Sequence, residues 1–294
     1  MDEAGSSEAE RRLGLPVGEF PFESRYADVG GARIHYIDEG AGPLLLMIHG
    51  NPAWSRLYRD VVSALRGEFR CIALDLSGFG LSTPPPAFSF LPEDHARLTT
   101  AFVEQLDLRD ATLVANDWGG PIGIATMRAT EKRITRLCLG NTWAWPVNGE
   151  LHFEWFSKLL GGPIGRIAAE RWCVFVNFVM PSSMRRRKMT EAELNAFRAP
   201  FRALQARRAM HVFPKSITSS GSWLGDLEAF VRSFEGPAQF IWPENDIAFR
   251  ESELEHWRGL LPQARVARLA KCGHFLWLEA PEECAAAIRG FARR

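Results

Sequence analysis

Leu113-Val114-Ala115-Asn116-Asp117-Trp118-Gly119-Gly120 is the stretch that decides the fold. Ala111–Asn116 reads as an apolar strand and Gly120–Thr130 as the helix that follows it. The corner between them is sharp, so its flanks must be small for the helix to pack back on the strand, and Ala115 and Gly119 meet that need. The side chain presented at the corner is Asp117. A carboxylate is a poor attacker of amides and esters. It suits displacement at a saturated carbon, which leaves a covalent ester on the protein.

Outward from that corner, strands and helices alternate, the pattern of a mainly parallel sheet with helices on both faces. Arg33–Asp38, Pro43–His49, Arg70–Leu76, Arg136–Leu139, Gln239–Trp242 and Arg265–Leu269 read as further strands. The continuously apolar Pro43–His49 belongs in the sheet centre. Trp54–Leu65, Pro92–Leu106, Ser252–Leu261 and Pro281–Phe291 read as helices. Ser77-Gly78-Phe79-Gly80 and Thr83-Pro84-Pro85-Pro86 are turn and loop. Residues 142–215 are rich in Trp, Phe and Arg, broken by Pro and Gly, and hold no clear strand. They are expected to form a helical cap over the sheet, after the sixth strand. The remaining divisions are a loose polar tail over 1–20 and a core made of 21–141 and 216–294.

The chain has 294 residues and zero formal net charge, so bulk electrostatics gives no case for nucleic acid or an anionic membrane as partner. The basic run Arg185-Arg186-Arg187-Lys188 reads as a solvated helix end or loop. Five cysteines without a C-x-x-C pair read as buried thiols of a cytoplasmic protein. No signal-peptide pattern opens the chain, and no apolar stretch reaches the ~20 residues that span a bilayer.

Ligands in open α/β sheets bind beyond the carboxyl ends of the strands. Asn51, Asp117, Asp246 and His274 fall at such ends. Asp117, Asp246 and His274 also follow the chain order nucleophile, acid, histidine expected of the α/β-hydrolase fold. His49 reads as a structural hydrogen-bonding residue.

His49-Gly50-Asn51-Pro52-Ala53-Trp54-Ser55, Asn116-Asp117-Trp118-Gly119-Gly120-Pro121 and Gly273-His274-Phe275 resemble the three main signatures of haloalkane dehalogenases. The resemblance runs from about Glu23 to Phe291. It implies Asp117 as nucleophile, His274 as base, Asp246 as acid, and Asn51 with Trp118 as the halide-binding pair. It favours a cis Asn51–Pro52 bond, and implies the subgroup that pairs Asn and Trp with a late Asp. The substrate would be a small apolar halogenated compound, with water as second reactant, halide as product, and neither metal nor cofactor. The chemistry is consistent at each position. A leaving halide needs hydrogen-bond donors in a dry pocket, which the Trp118 indole and Asn51 amide can supply. Hydrolysis of the ester needs water deprotonated by His274, with Asp246 holding the imidazole tautomer. The backbone N–H groups of Asn51 and Trp118 would form the oxyanion hole.

Epoxide hydrolases share the aspartate but protonate an alkoxide with cap tyrosines; Tyr26, Tyr36 and Tyr58 all lie outside 142–215, and Phe197 stands where such a phenol would be sought. Fluoroacetate-type enzymes place arginines after the nucleophile, where this chain has Trp118 and Gly119. A ligand receptor or a luciferase-like oxygenase on the same scaffold stays open. Some relatives carry the acid after the strand preceding the cap. Asn141 occupies that place and cannot serve, which leaves Asp246, with Glu244 as fallback and Pro243 as a residue that could shift the loop. Of Trp143, Trp145, Trp155, Trp172, Phe153, Phe156, Phe175 and Phe178, a subset is expected to line the pocket.

Overall fold

The computed structural model describes residues 5–202 and 204–293. One sheet contains β1 (Arg25–Val29), β2 (Ala32–Glu39), β3 (Leu44–Ile48), β4 (Arg70–Leu74), β5 (Ala111–Ala115), β6 (Ile134–Gly140), β7 (Ala238–Pro243) and β8 (Arg265–Leu269). Their order across the sheet is β1-β2-β4-β3-β5-β6-β7-β8. The β1–β2 and β2–β4 pairs are antiparallel and the others parallel. Every residue of β3, β5 and β7 is buried, as parallel strands covered on both faces must be. Helices Arg59–Leu65 and Pro281–Ala292 pack together, and helices Pro92–Gln105 and Gly221–Arg232 both pack on Gly119–Ala129, so the two faces of the sheet are covered. The fold is that of the α/β hydrolases.

The N-terminal segment departs from the expected loose tail. Residues Glu8–Leu13 form a helix. Ser7 and Glu10 cap it reciprocally: the Glu10 N–H donates to Ser7 Oγ and the Ser7 N–H to Glu10 Oε2. Phe20 is fully buried against Phe22 and Trp54, at 5.2 and 4.7 Å between centroids. Apolar burial of Ala9, Leu13 and Phe20 fixes a stretch whose composition is polar.

Between β6 and β7 the described chain contains helices and no strand, among them Leu151–Gly161, Pro163–Trp172, Glu191–Arg198 and Arg208–Ser219. The expected boundary at 215 falls inside the last of these. The basic run is also not merely solvated. Glu279 is buried, and its carboxylate accepts the N–H groups of Arg185 and Arg186 at 2.6 Å each. The Arg187 guanidinium pairs with Glu193 at 2.6 Å, and Arg186 pairs with Glu283. A buried carboxylate needs donors, and here they tie the insertion to the helices after β8. Among the described residues no helix is long and apolar enough to cross a membrane. All five cysteines are buried and unbridged.

Candidate active site

Asp117 sits just past β5 with φ 48°, a left-handed backbone that Asp tolerates better than most residues. The corner is pinned by Asp117 N–H to Asn141 O at 3.0 Å and by Thr142 Oγ1 to Asp117 O at 2.7 Å. A Cβ at position 119 would lie 2.0 Å from the Ile48 carbonyl oxygen, so only glycine lets the helix start so near β3. Gly119→Ala is expected to cost ~1–3 kcal/mol through overpacking, seen as a thermal melting point several degrees lower; an unchanged melt would contradict the close approach.

The Asp117 carboxylate has two distinct ends. Oδ1 accepts the backbone N–H of Asn51 at 2.7 Å, and the Trp118 backbone N–H also donates to the carboxylate. Oδ2 lies 3.9 Å from His274 Nε2, too far for a direct hydrogen bond and suited to a bridging water. The Asn51–Pro52 peptide is cis.

Behind His274, Nδ1 donates to Asp246 Oδ2 at 2.8 Å. The loop after β7 aims Asp246 inward, with Oδ1 taking the Ala248 N–H at 2.8 Å. Pro243 ends β7 in register with Leu269, so it leaves the loop in reach of His274. Glu244 is exposed and makes no contact with the histidine. Asn141 Nδ2 donates to Asp246 Oδ2 at 2.6 Å and to the His274 carbonyl at 2.7 Å. Both its hydrogens are thereby used, and the 3.1 Å approach to His274 Nδ1 is proximity alone. The His274 N–H donates to Ser183 O at 3.0 Å, so the helical insertion helps fix the histidine loop.

Electrostatics follows this geometry. Burial raises the pKa of Asp117, opposed by His274 and by the Asn51 and Trp118 N–H groups. Burial would also raise Asp246, but the charge and hydrogen bond of His274 and the Asn141 amide outweigh it, and its pKa is lowered. Burial disfavours the His274 cation, yet Asp246 and then Asp117 push its pKa up to about 9. His274 is therefore protonated at neutral pH. Its protonation contributes stability that is complete below the ordinary value of about 6.5 and is lost as pH rises through about 9. Neutralising Asp117 removes one of the charges that raise it. Asp117→Asn is expected to move the His274 midpoint below about 9 in an NMR titration of the imidazole; an unmoved midpoint would contradict the coupling.

Above these groups lies a cavity of about 150 Å³, comparable to an engineered apolar cavity that admits benzene. Asn51, Asp117, Trp118, Asp246 and His274 all line it, with Trp143, Phe153, Phe156, Phe175 and Phe249. Among the described residues no lysine or arginine lines it, so it lacks the arginine pair that an anionic substrate would require beside the nucleophile. Trp145 stacks instead on His256 at 4.0 Å, and Trp155, Trp172 and Phe178 point to solvent. Helix periodicity alone does not separate those inward and outward faces. Three polar atoms of lining residues, Trp143 Nε1, Asn51 Oδ1 and His152 Nε2, are buried without a protein hydrogen-bond partner.

Among the described residues no tyrosine lines the cavity. Tyr58 is buried and its hydroxyl donates to Ile48 O at 2.9 Å, while Tyr26 and Tyr36 lie on β1 and β2. Phe197 is buried beneath the Arg56 guanidinium, 5.2 Å from its ring centroid. His49 has a structural setting: Nδ1 contacts Gly50 O at 2.8 Å and Nε2 accepts the Leu76 N–H at 2.9 Å. Asp75, which composition does not single out, organises the neighbouring loops. It accepts from Ser55 N–H, Leu81 N–H and His35 Nδ1 at 2.7–2.8 Å.

The α/beta hydrolase fold model matches residues 43–281. The haloalkane dehalogenase 2 of Mycobacterium tuberculosis is 38% identical over 276 residues, covering 92% of this chain and 94% of that one. A cis-3-alkyl-4-alkyloxetan-2-one decarboxylase of Shewanella oneidensis is 29% identical over 92% of this chain and 88% of its own length. A crystal structure of a DBJA mutant superposes with a TM-score of 0.84 at 25% identity, covering 92% of this chain and 98% of that one. This chain, a hydrolase acting on halide bonds, belongs to the haloalkane dehalogenase family of α/β hydrolases.

Proposed function

We propose that this enzyme hydrolyses small uncharged haloalkanes through a covalent alkyl-Asp117 ester. The observation that carries this reading is the two-ended carboxylate: Oδ1 bound by the Asn51 N–H at 2.7 Å, Oδ2 facing His274 Nε2 at 3.9 Å, both in an apolar cavity that Trp118 also lines. Asp117 attacks the carbon bearing the halogen. A carbon–oxygen bond forms, the carbon–halogen bond breaks, and the halide leaves with the electron pair. The Trp118 indole and Asn51 amide donate hydrogen bonds to it, each worth about 1.5–3 kcal/mol for a charged acceptor.

Ester formation neutralises Asp117, which lowers the His274 pKa, so the imidazolium releases its Nε2 proton to solvent and becomes a base. Water then attacks Cγ of Asp117 and passes a proton to Nε2. The backbone N–H groups of Asn51 and Trp118 receive the oxyanion. Asp246 supports the imidazolium, and Asn141 holds Asp246. Collapse breaks the acyl–oxygen bond, the alkoxide takes the proton from His274, and the Asp117 carboxylic acid returns its proton to His274, which restores the resting carboxylate and imidazolium with one net proton released. The sum is haloalkane plus water to alcohol, halide and proton. The Asn51/Trp118 pair with the late acid Asp246 defines the proposed subgroup, and the helical segment over the cavity acts as its cap.

The test is halide and proton release from 1-bromo- and 1-chloroalkanes of three to six carbons. Stoichiometric bromide, alcohol and acid are expected. Carbon dioxide from a dialkyl oxetan-2-one, the substrate class named for the Shewanella relative, or diol from an epoxide, in place of halide release, would reassign the site.

A further inference from the structure

Helix Arg208–Ser219 carries Pro214 in its interior, where proline ordinarily destabilises a helix. Proline has no N–H, so position 214 gives no hydrogen bond to the carbonyl four residues earlier, that of Met210. That carbonyl accepts the side chain of Asn51 instead, Nδ2 to O at 3.2 Å. A carbonyl can only accept, so the contact decides which end of the amide faces the helix. Nδ2 carries a second hydrogen, and both Asn51 and Pro214 line the cavity. One residue before the proline, the Phe213 ring stacks on the Trp118 indole at 5.3 Å with 21° between planes. A single turn of this helix therefore touches both candidate halide donors.

We infer that Pro214 is a positioning residue for halide binding. By withholding an N–H it reserves the Met210 carbonyl for the Asn51 amide, which leaves the second amide hydrogen directed at an anion beside Asp117. This rests on the reading of Asn51 as a halide donor. Any other residue at 214 supplies an N–H that competes for the same carbonyl, straightens the helix and frees the amide to rotate.

Bromide binding to Pro214→Ala, Pro214→Val, Asn51→Ala and Asn51→Ala/Pro214→Ala is to be measured by isothermal titration, beside thermal melts. Both single proline variants are expected to melt higher, since the helix gains a bond and loses a breaker. They are expected to bind bromide roughly fivefold to tenfold more weakly, the share of one oriented hydrogen bond to an anion. The double variant should match Asn51→Ala, because without the amide the carbonyl has nothing to hold. A higher melting point with unchanged bromide affinity would overturn the inference. So would weakening in Pro214→Ala but not Pro214→Val, which would assign the effect to ring volume, or full additivity in the double variant. Absence of bromide binding by the unmodified enzyme would instead overturn the donor reading beneath it.

Discussion

His274→Phe is expected to stall the enzyme after its first step. Exposed to a 1-bromoalkane, the variant should release one bromide per chain and gain the mass of the alkyl group on the peptide containing Asp117. Attack needs only the ionised carboxylate and donors for the leaving halide, neither of which requires a proton from His274. Hydrolysis needs a base within one water of the ester carbon, and the 3.9 Å gap between Nε2 and Oδ2 is where that water fits. Phenylalanine retains the ring volume beside Phe249, which stacks on His274 at 5.9 Å, so the cavity should keep its shape. Steady-state turnover should vanish while the burst persists. An unmodified Asp117 after full exposure would remove the covalent step from the mechanism.

Asp246→Asn carries the next largest effect. The change leaves size and burial alone but converts an acceptor into an amide. His274 Nδ1 donates to this group at 2.8 Å, and Asn141 Nδ2 donates to the same oxygen at 2.6 Å. An asparagine there can accept with only one end, and it brings no charge to support the imidazolium. The tautomer that leaves Nε2 free to take a proton then loses its anchor. A loss on the order of 10⁴ in turnover is expected, the size of the corresponding effect in serine hydrolase triads. The His274 pKa should also fall from about 9, since Asp246 is the largest influence raising it. Activity near that of the unmodified enzyme would move the acid elsewhere. Glu244 gives no support as a substitute, because it is exposed and its N–H is used by Leu269 O.

The corner at Asp117 was legible because its requirements are local: small flanks, an apolar strand before, glycines after. The central strands were legible for the same reason, through unbroken apolar runs. Of the N-terminal hairpin, β2 was legible as Arg33–Asp38 and β1 was not. β1 is short and carries Arg25, Tyr26 and Asp28, an edge pattern that resembles loop composition, although the Gly30-Gly31 pair between β1 and β2 is a turn signal. The helix Glu8–Leu13 was hidden by charge, its stability resting on the Ser7–Glu10 cap and on burial of Ala9 and Leu13. At the site, contacts made at long sequence separation could not be read from the chain. Asn141 meets Asp246 across 105 positions, and Met210 meets Asn51 across 159. Pro214 removes one helix bond, but what donates to the freed carbonyl depends on how the insertion packs. The same packing brings Phe156, itself partly exposed, to the cavity edge while Trp155, its neighbour in sequence, faces solvent.

The central claim is that the oxygen of the product alcohol comes from Asp117 and that water replaces it. A single turnover in H₂¹⁸O tests this directly, with mass analysis of both the alcohol and the Asp117 peptide. Unlabelled alcohol and one ¹⁸O in the Asp117 carboxylate are expected. Labelled alcohol with an unlabelled Asp117 would mean that water attacks the substrate carbon itself, and would contradict the covalent mechanism.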